Sequence, residues 1–308
     1  MASEEYKTIP VTVIIPVKNE ASVLRSCLEP LSQMDDVVVV DSGSDDGTAN
    51  IAQRWGAHVV QFKWNGGFPK KRNWILQTYP FCTEWVLFLD ADEVLTSDFV
   101  RELRVVIAST EYACYWIKYT NHFQGRQLRF GVAQRKLALF RVGSGHYERI
   151  EDPGWSNLDM EVHEHPILNG PVGSMHCRIT HNDYKDLYGF IERHNKYSTW
   201  EASRYMARPA EKLGSRAART LRQRAKYALA ESTWLSVLYF LYTYLFLGGI
   251  LDGRTGLHYA IYKAIYFFDI SQKIRELKRS KSGSLQNSAS ADCSDRDHTS
   301  GGSHFSSL

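Results

Sequence analysis

VVVVDSGSDDGT, residues 37–48, is the stretch whose reading decides the fold. Its valine run is compact, apolar and β-branched, the pattern of a strand buried on both faces. The polar cluster that ends it is built from turn and cap residues. Thr48 and the preceding Asp45-Asp46-Gly47 can open a helix over about 46–55, and Gly56 can close it.

The same grammar repeats on either side. VTVII (11–15), HVVQF (58–62) and WVLFLD (85–90) are further compact apolar runs, and helix-like segments lie at about 20–34 and 70–79. Strand and helix in alternation predict an α/β domain, with a mostly parallel sheet flanked by helices. In such sheets ligands collect at the carboxyl ends of the strands. Three of these strands end in polar clusters: Pro16-Val17-Lys18-Asn19-Glu20, Asp41 to Thr48, and Asp90-Ala91-Asp92-Glu93. Taken singly, each cluster reads equally well as turn and N-cap residues. Three carboxylate-bearing loops on one sheet edge point to a site. Asp90 and Asp92, one residue apart at the rim of the sheet, suit a hard divalent cation, Mg²⁺ or Mn²⁺. Such ions take oxygen ligands and bridge carboxylates to phosphates.

Composition narrows the classes. The chain has 308 residues, 44% hydrophobic and 23% charged, with a net charge of +3. That excludes collagen-like, wholly disordered and disulfide-scaffold proteins, and the charge is too small to argue for nucleic acid. The five cysteines form no CxxC pair, which supports neither zinc nor a disulfide framework and reads as a reducing compartment. MASEEYKTIP at the start is acidic and polar, unlike a secretory signal.

TVIIPVKNE, VVVVDSGSDDGT and VLFLDADE, in this order and spacing, resemble the family 2 glycosyltransferases of the GT-A fold over about residues 10–200. EVHEH and LGGILDGRTGLHYAIYKAIYFF further resemble the lipopolysaccharide-core β-glucosyltransferases. The resemblance implies that Pro16, Asn19 and Glu20 shape the nucleotide loop, and that Asp41 accepts a hydrogen bond from uracil. It also implies that Asp90 lies near ribose and metal while Asp92 contacts the metal. Lys70-Lys71-Arg72-Asn73 matches a basic stretch before a helix. Arg72 then either reaches the donor phosphates, to which a guanidinium fork is suited, or belongs to a solvated helix start.

Inverting transfer requires a base to take the acceptor hydroxyl proton. The resemblance places it at Glu164, with His163 beside it; Glu161 is the competitor, because the family's usual Glu-Asp pair is missing. The spacings of His163, His165, His176 and His181 fit no structural zinc pattern. His181 resembles the third metal ligand of many GT-A enzymes more than His176 does; a histidine satisfied within the fold is the alternative.

The rest of the chain changes character. Residues 204–226 hold eight basic side chains and one acidic, with Arg216, Arg219, Gln223 and Lys226 at near-helical spacing. Residues 234–251 carry no charge, and an aromatic stretch runs from Tyr259 to Phe268. Aromatic belts beside basic residues predict a helical extension lying on the cytoplasmic leaflet of the inner membrane. A true span and a buried helical subdomain are the alternatives. From Ser280 the chain is serine-rich and reads as disordered. The expected organisation is therefore a catalytic domain over 10–203, a membrane-associating region over 204–279 and a tail over 280–308.

The activity implied is metal-dependent inverting transfer of a hexose, glucose by the subgroup resemblance, from a UDP-sugar. The acceptor would be a lipid-anchored cell-envelope glycan such as the lipopolysaccharide inner core. Rival readings are a polyprenyl-phosphate glycosyltransferase and a nucleotide-sugar-binding membrane protein without catalysis. A nucleotidyltransferase would want a glycine-rich phosphate loop after the first strand, which PVKNE is not.

Overall fold

The computed structural model describes residues 8–149, 159, 166–182, 186–207 and 228–297, with side chains described as far as 281. The chain divides into two compact units, Met1–Arg193 with Leu241–Ala260, and His194–Phe240 with Ile261–Leu308. The first boundary thus falls ahead of the expected 203/204 division, and part of the aromatic stretch belongs to the first unit.

The first unit is built on a nine-stranded sheet. Strand β1 (Ile9–Val17) lies at its centre, hydrogen-bonded in parallel to β2 (Met34–Asp41) on one side and β4 (Trp85–Phe88) on the other. β3 (His58–Gln61) extends the parallel half beyond β2. The apolar runs of β1, β2 and β4 have no solvent face: Val13, Ile14, Ile15, Val38, Val39 and Leu87 are completely buried. β3 departs from that expectation, because it lies at the sheet edge with His58 and Gln61 exposed and Val59 and Val60 half-buried. Beyond β4 the sheet becomes mixed. β8 (Arg135–Arg141) runs antiparallel to β4, and β6 (Cys114–Phe123) antiparallel to β8. β11 (Val172–His181) runs parallel to β6, and the short β5 (Glu93–Val94) closes the edge antiparallel to β11. This mostly parallel sheet flanked by helices is the GT-A architecture expected from the sequence.

The helices follow the predicted stop signals, with one correction. α2 (Thr48–Trp55) ends at Gly56, whose φ of +101° only glycine adopts without strain. α1 (Ala21–Leu28) is shorter than the predicted 20–34. Pro30, which has no N–H to donate, turns the chain into a single 3₁₀ turn, and β2 begins by Met34. α3 (Lys71–Thr78) and α4 (Ser97–Ala108) complete the flanking layers; the Thr96 hydroxyl caps α4 by accepting from the Phe99 N–H at 3.2 Å.

The second unit is helical, drawing on α5 (Leu187–Met206), α6 (Trp234–Leu241) and α7 (Gly253–Asp297). Its buried cluster is Ala202, Ala230, Tyr266, Ile270 and Ile274. The Lys273 ammonium donates to the Asn195 carbonyl and side chain and to the hydroxyls of Ser198 and Thr199, at 2.6–2.8 Å. α7 continues past Ser280 to Asp297, into the segment that composition reads as a disordered tail. Extending an existing helix avoids the cost of nucleating one. Among the described residues no single helix is long and apolar enough to cross a membrane. Trp234–Phe246 and Gly249–Lys281 meet that test only as a bent pair.

Candidate active site

Register brings the polar loops together. Asp41, last in β2, pairs with Val17 at the end of β1, which sets the Lys18–Glu20 loop beside the Ser42–Gly47 loop. The two loops are tied by four hydrogen bonds from backbone N–H groups. Asn19 donates to Ser44 Oγ (2.9 Å), Glu20 to Thr48 Oγ1 (2.8 Å), Ala21 to Asp46 (3.0 Å) and Asp45 to Asn19 Oδ1 (3.1 Å). Asn19 holds a φ of +57°, a left-handed conformation that asparagine tolerates better than most side chains. Pro16 is buried in β1 opposite Val40, and Glu20 stands at the N-cap position of α1. Asp41 is buried; its carboxylate accepts from the Ser44 N–H (3.1 Å), the Ser44 hydroxyl (2.5 Å) and Gln61 Nε2 (3.0 Å). These hydrogen bonds fix the Asp41 side chain against the Ser42–Gly47 loop.

The second group stands where β4 ends. Asp90 receives Arg72 Nη2 at 2.9 Å on one oxygen and Lys136 Nζ at 3.5 Å on the other. Burial pushes the Asp90 carboxyl up, but Lys136, Arg72 and His181 outweigh it and hold the group well below the usual carboxylate range. The Arg72 guanidinium also lies 5.2 Å from the Tyr147 ring centre. Asp92 faces His181 Nε2 at 3.8 Å, because β5 pairs Glu93 with His181 across the sheet edge. His181 Nδ1 is 3.4 Å from Asn121 Oδ1, and the ring tilts against Tyr119 at 5.0 Å. A small cleft borders His181, lined also by Asn121, Gln134, Phe123, Phe190 and Tyr259.

Asp92 and His181 offer a divalent cation one carboxylate and one imidazole, and its remaining positions would go to water and substrate phosphate. Two ligands about 2.1 Å from an octahedral ion stand about 3.0 Å apart when adjacent and about 4.2 Å apart when opposite. Their 3.8 Å separation falls between those two spacings. Asp90 is instead held by two protein cations. Among the described residues no group of three or more His, Cys, Asp or Glu side chains forms a metal cage. The expected triad therefore divides into an Asp92–His181 pair and an Asp90–Arg72–Lys136 cluster. Glu161, His163 and Glu164 lie outside the described residues.

Several residues escaped the sequence reading. Lys136, at the head of β8, donates to Glu93 Oε2 at 2.5 Å, and Glu93 also accepts the Asp90 N–H at 3.0 Å. Burial, with Glu93 and Asp90 adding to it, raises the Tyr119 phenol well above its ordinary value. Lys71 does not belong to a solvated helix start. It is buried, donating to the Val17 carbonyl at 2.9 Å and pairing with Asp159 at 3.1 Å, and burial lowers its ammonium pKa. Asn73 exchanges two hydrogen bonds with the Tyr147 backbone, at 2.9 and 3.1 Å, which fixes α3 to β9 (Gly145–Tyr147).

Residues 12–154, the segment that supplies these loops, match the model of Glycosyl transferase family 2. Over this segment, just under half of the chain, it is similar to glycosyltransferase family 2. The chain is also similar to the lipopolysaccharide core biosynthesis glycosyltransferase LpsC of Rhizobium meliloti. The two are 29% identical over 214 residues, which cover 63% of this chain and 71% of that one. An uncharacterised glycosyltransferase of Rickettsia typhi is 33% identical over 119 residues, covering 38% of this chain and 40% of that protein. The chain thus matches well under half of the Rickettsia protein's length. Among solved structures, the mannosyltransferase PcManGT of Pyrobaculum calidifontis, in complex with GDP-Man and Mn²⁺, aligns over 87% of each chain at 16% identity, with a TM-score of 0.46.

Proposed function

We propose that this chain is a family 2 glycosyltransferase that moves a hexose, glucose by its subgroup resemblance, from a UDP-sugar to a lipid-anchored cell-envelope glycan of the lipopolysaccharide-core type. The reaction would be an inverting single displacement at the cytoplasmic face of the membrane. The observation that supports the donor reading is that Asp41, the tied Asn19–Ser44 loops, Asp90 and Asp92 all lie at or just past the carboxyl ends of the adjacent strands β1, β2 and β4, with His181 at the end of β11 facing Asp92. The relative named for lipopolysaccharide core biosynthesis supports the acceptor class.

In this reading the Asp41 loop receives the uracil ring, and Asp90 holds Arg72 and Lys136 next to the ribose and diphosphate. Asp92 and His181 hold Mg²⁺ or Mn²⁺. The ion, once bound, neutralises charge gathering on the departing UDP. Glu164, with Glu161 as the alternative and His163 alongside, removes the acceptor hydroxyl proton while the oxygen attacks the anomeric carbon. UDP-hexoses are α-linked, so one inversion gives a β-glycoside.

Thermal unfolding with UDP, GDP and several UDP-sugars, each with Mn²⁺ and with chelator, tests the donor site. A ligand at a hundred times its Kd adds about 2.7 kcal/mol. Stabilisation by UDP and one UDP-hexose, and only with metal, is the expected result. A melting curve that no nucleotide moves sinks the reading.

A further inference from the structure

The uncharged run before Asp252 ends in a feature that the transfer reaction does not use. Within the first unit, Tyr242–Phe246 forms one short helical stretch and Gly249–Asp252 another. The segment is fastened down. The Asp252 carboxylate accepts the backbone N–H groups of Arg129 (3.1 Å) and Phe130 (3.0 Å), and the Leu247 carbonyl accepts that of Gly131 (2.9 Å). Gly248 makes the corner with a φ of +73°, against the Phe130 ring. At Gly256 a Cβ would stand 2.0 Å from the Gly249 carbonyl oxygen, so α7 starts in contact with the corner.

This fixed corner turns its apolar side chains outward. Phe246 is 82% and Leu251 68% exposed, with Phe130, Tyr242, Leu245 and Ile250 also open to solvent. A rigid apolar projection of this kind marks an interaction surface. Residues 124–131 and 241–256 carry Arg126, Arg129 and Arg254, all exposed, and one acid, Asp252. The Asp252 carboxylate is turned onto backbone N–H groups, so the rim is positive. The Gln124–His258 contact at 3.3 Å keeps the turn before Arg126 beside the start of α7. Self-association through this surface would set arginine against arginine. Aromatic and aliphatic groups with a basic rim match the acyl–headgroup boundary of an anionic bilayer.

We infer that residues 241–251 and Phe130 form a wedge that inserts shallowly into an anionic lipid surface, with Arg126, Arg129 and Arg254 on the headgroups. The wedge rests on the membrane-surface part of the proposed function and on none of its donor assignment. It holds the catalytic sheet at the bilayer, since Asp252 fastens it to the chain between β7 (Arg126–Leu128) and β8.

The test is sedimentation of the full-length chain with vesicles, in the absence of nucleotide. Binding to phosphatidylethanolamine–phosphatidylglycerol vesicles, and much weaker binding to pure phosphatidylcholine, is expected. The double variant Phe246→Glu/Leu251→Glu should bind at least about tenfold more weakly. Each arginine changed to glutamine should cost about fivefold on anionic vesicles alone. UDP-dependent stabilisation of the double variant separates this test from the donor reading, because it should equal that of the wild type. If the double variant does not fold, hydrogen exchange on the wild type replaces it: residues 241–252 should gain protection on vesicles. Wild-type chain that stays in the supernatant, variants that sediment equally, or a solution dimer dispersed by the double substitution would each overturn the wedge.

Discussion

The Lys136 ammonium donates across 2.5 Å to Glu93 Oε2, joining the head of β8 to the turn that carries Asp90 and Asp92. Glu93 is 1% exposed, and Lys136 pairs with it inside the fold. Removing one member of a buried pair leaves an uncompensated charge and costs roughly 3–5 kcal/mol, whereas neutralising both costs much less. Urea unfolding of Lys136→Met should show a loss of about 3 kcal/mol, and the double variant Lys136→Met/Glu93→Gln should recover much of it. Equal losses in single and double variants would mean that the pair does not hold the turn.

The division between Asp90 and Asp92 makes a second prediction. Asp92→Asn should abolish the metal-dependent part of UDP stabilisation and lower transfer by about a hundredfold or more. Its melting temperature in chelator should stay at the wild-type value. Asp90→Asn should instead lower the melting temperature without ligand, because Arg72 and Lys136 lose the carboxylate they share. Calorimetric melting with and without Mn²⁺ distinguishes the two; identical behaviour would dissolve the distinction.

Much of this was legible in the sequence, for a physical reason. β1, β2 and β4 are buried on both faces and read as unbroken apolar runs, so the loops holding Asn19, Asp41, Asp90 and Asp92 could be placed at their ends. Lys136 could not be placed, because its role depends on β8 lying antiparallel to β4, a pairing across more than forty residues that no local pattern encodes. The burial of Lys71 was equally hidden. A lysine beside Lys70 and Arg72 looks solvated, and only Asp159 and the Val17 carbonyl reveal otherwise. Within the aromatic Tyr259–Phe268 stretch the sequence does not distinguish Tyr266, which packs into the core of the second unit, from Phe268, which is exposed.

Glu102 supplies a pH-dependent prediction away from the site. From α4 its carboxylate accepts the backbone N–H groups of His176 and Cys177, each at 2.7 Å, and so fastens the helix to β11. Burial pushes the group up, but these hydrogen bonds outweigh it and leave its pKa below the ordinary value. The native state then binds fewer protons than the unfolded chain in the window between the two values. The stability is present above about pH 4.3 and is lost as pH falls through the native value. Glu102→Gln should cost about 1–2 kcal/mol near neutral pH, and its unfolding curve should converge on the wild type in acid. A constant gap at every pH would assign the effect to packing instead.

The proton acceptor separates the proposed reaction from its nearest rival. A sugar hydroxyl is a poor nucleophile until its proton is removed, so a positioned base contributes roughly 10²–10⁴-fold. A lipid phosphate is already anionic and needs no such help. Glu164→Gln should therefore lower kcat by about a hundredfold or more with little change in the KM for the donor, while Glu161→Gln stays near wild type. The reverse pattern would move the base to Glu161. Two silent substitutions, in a chain that still turns over a UDP-sugar, would argue that the acceptor is a polyprenyl phosphate and that the resemblance to the core glucosyltransferases does not extend to the acceptor. Steady-state kinetics of the two variants against the wild type, with UDP release as the readout, reports all three outcomes before the natural acceptor glycan is known in full.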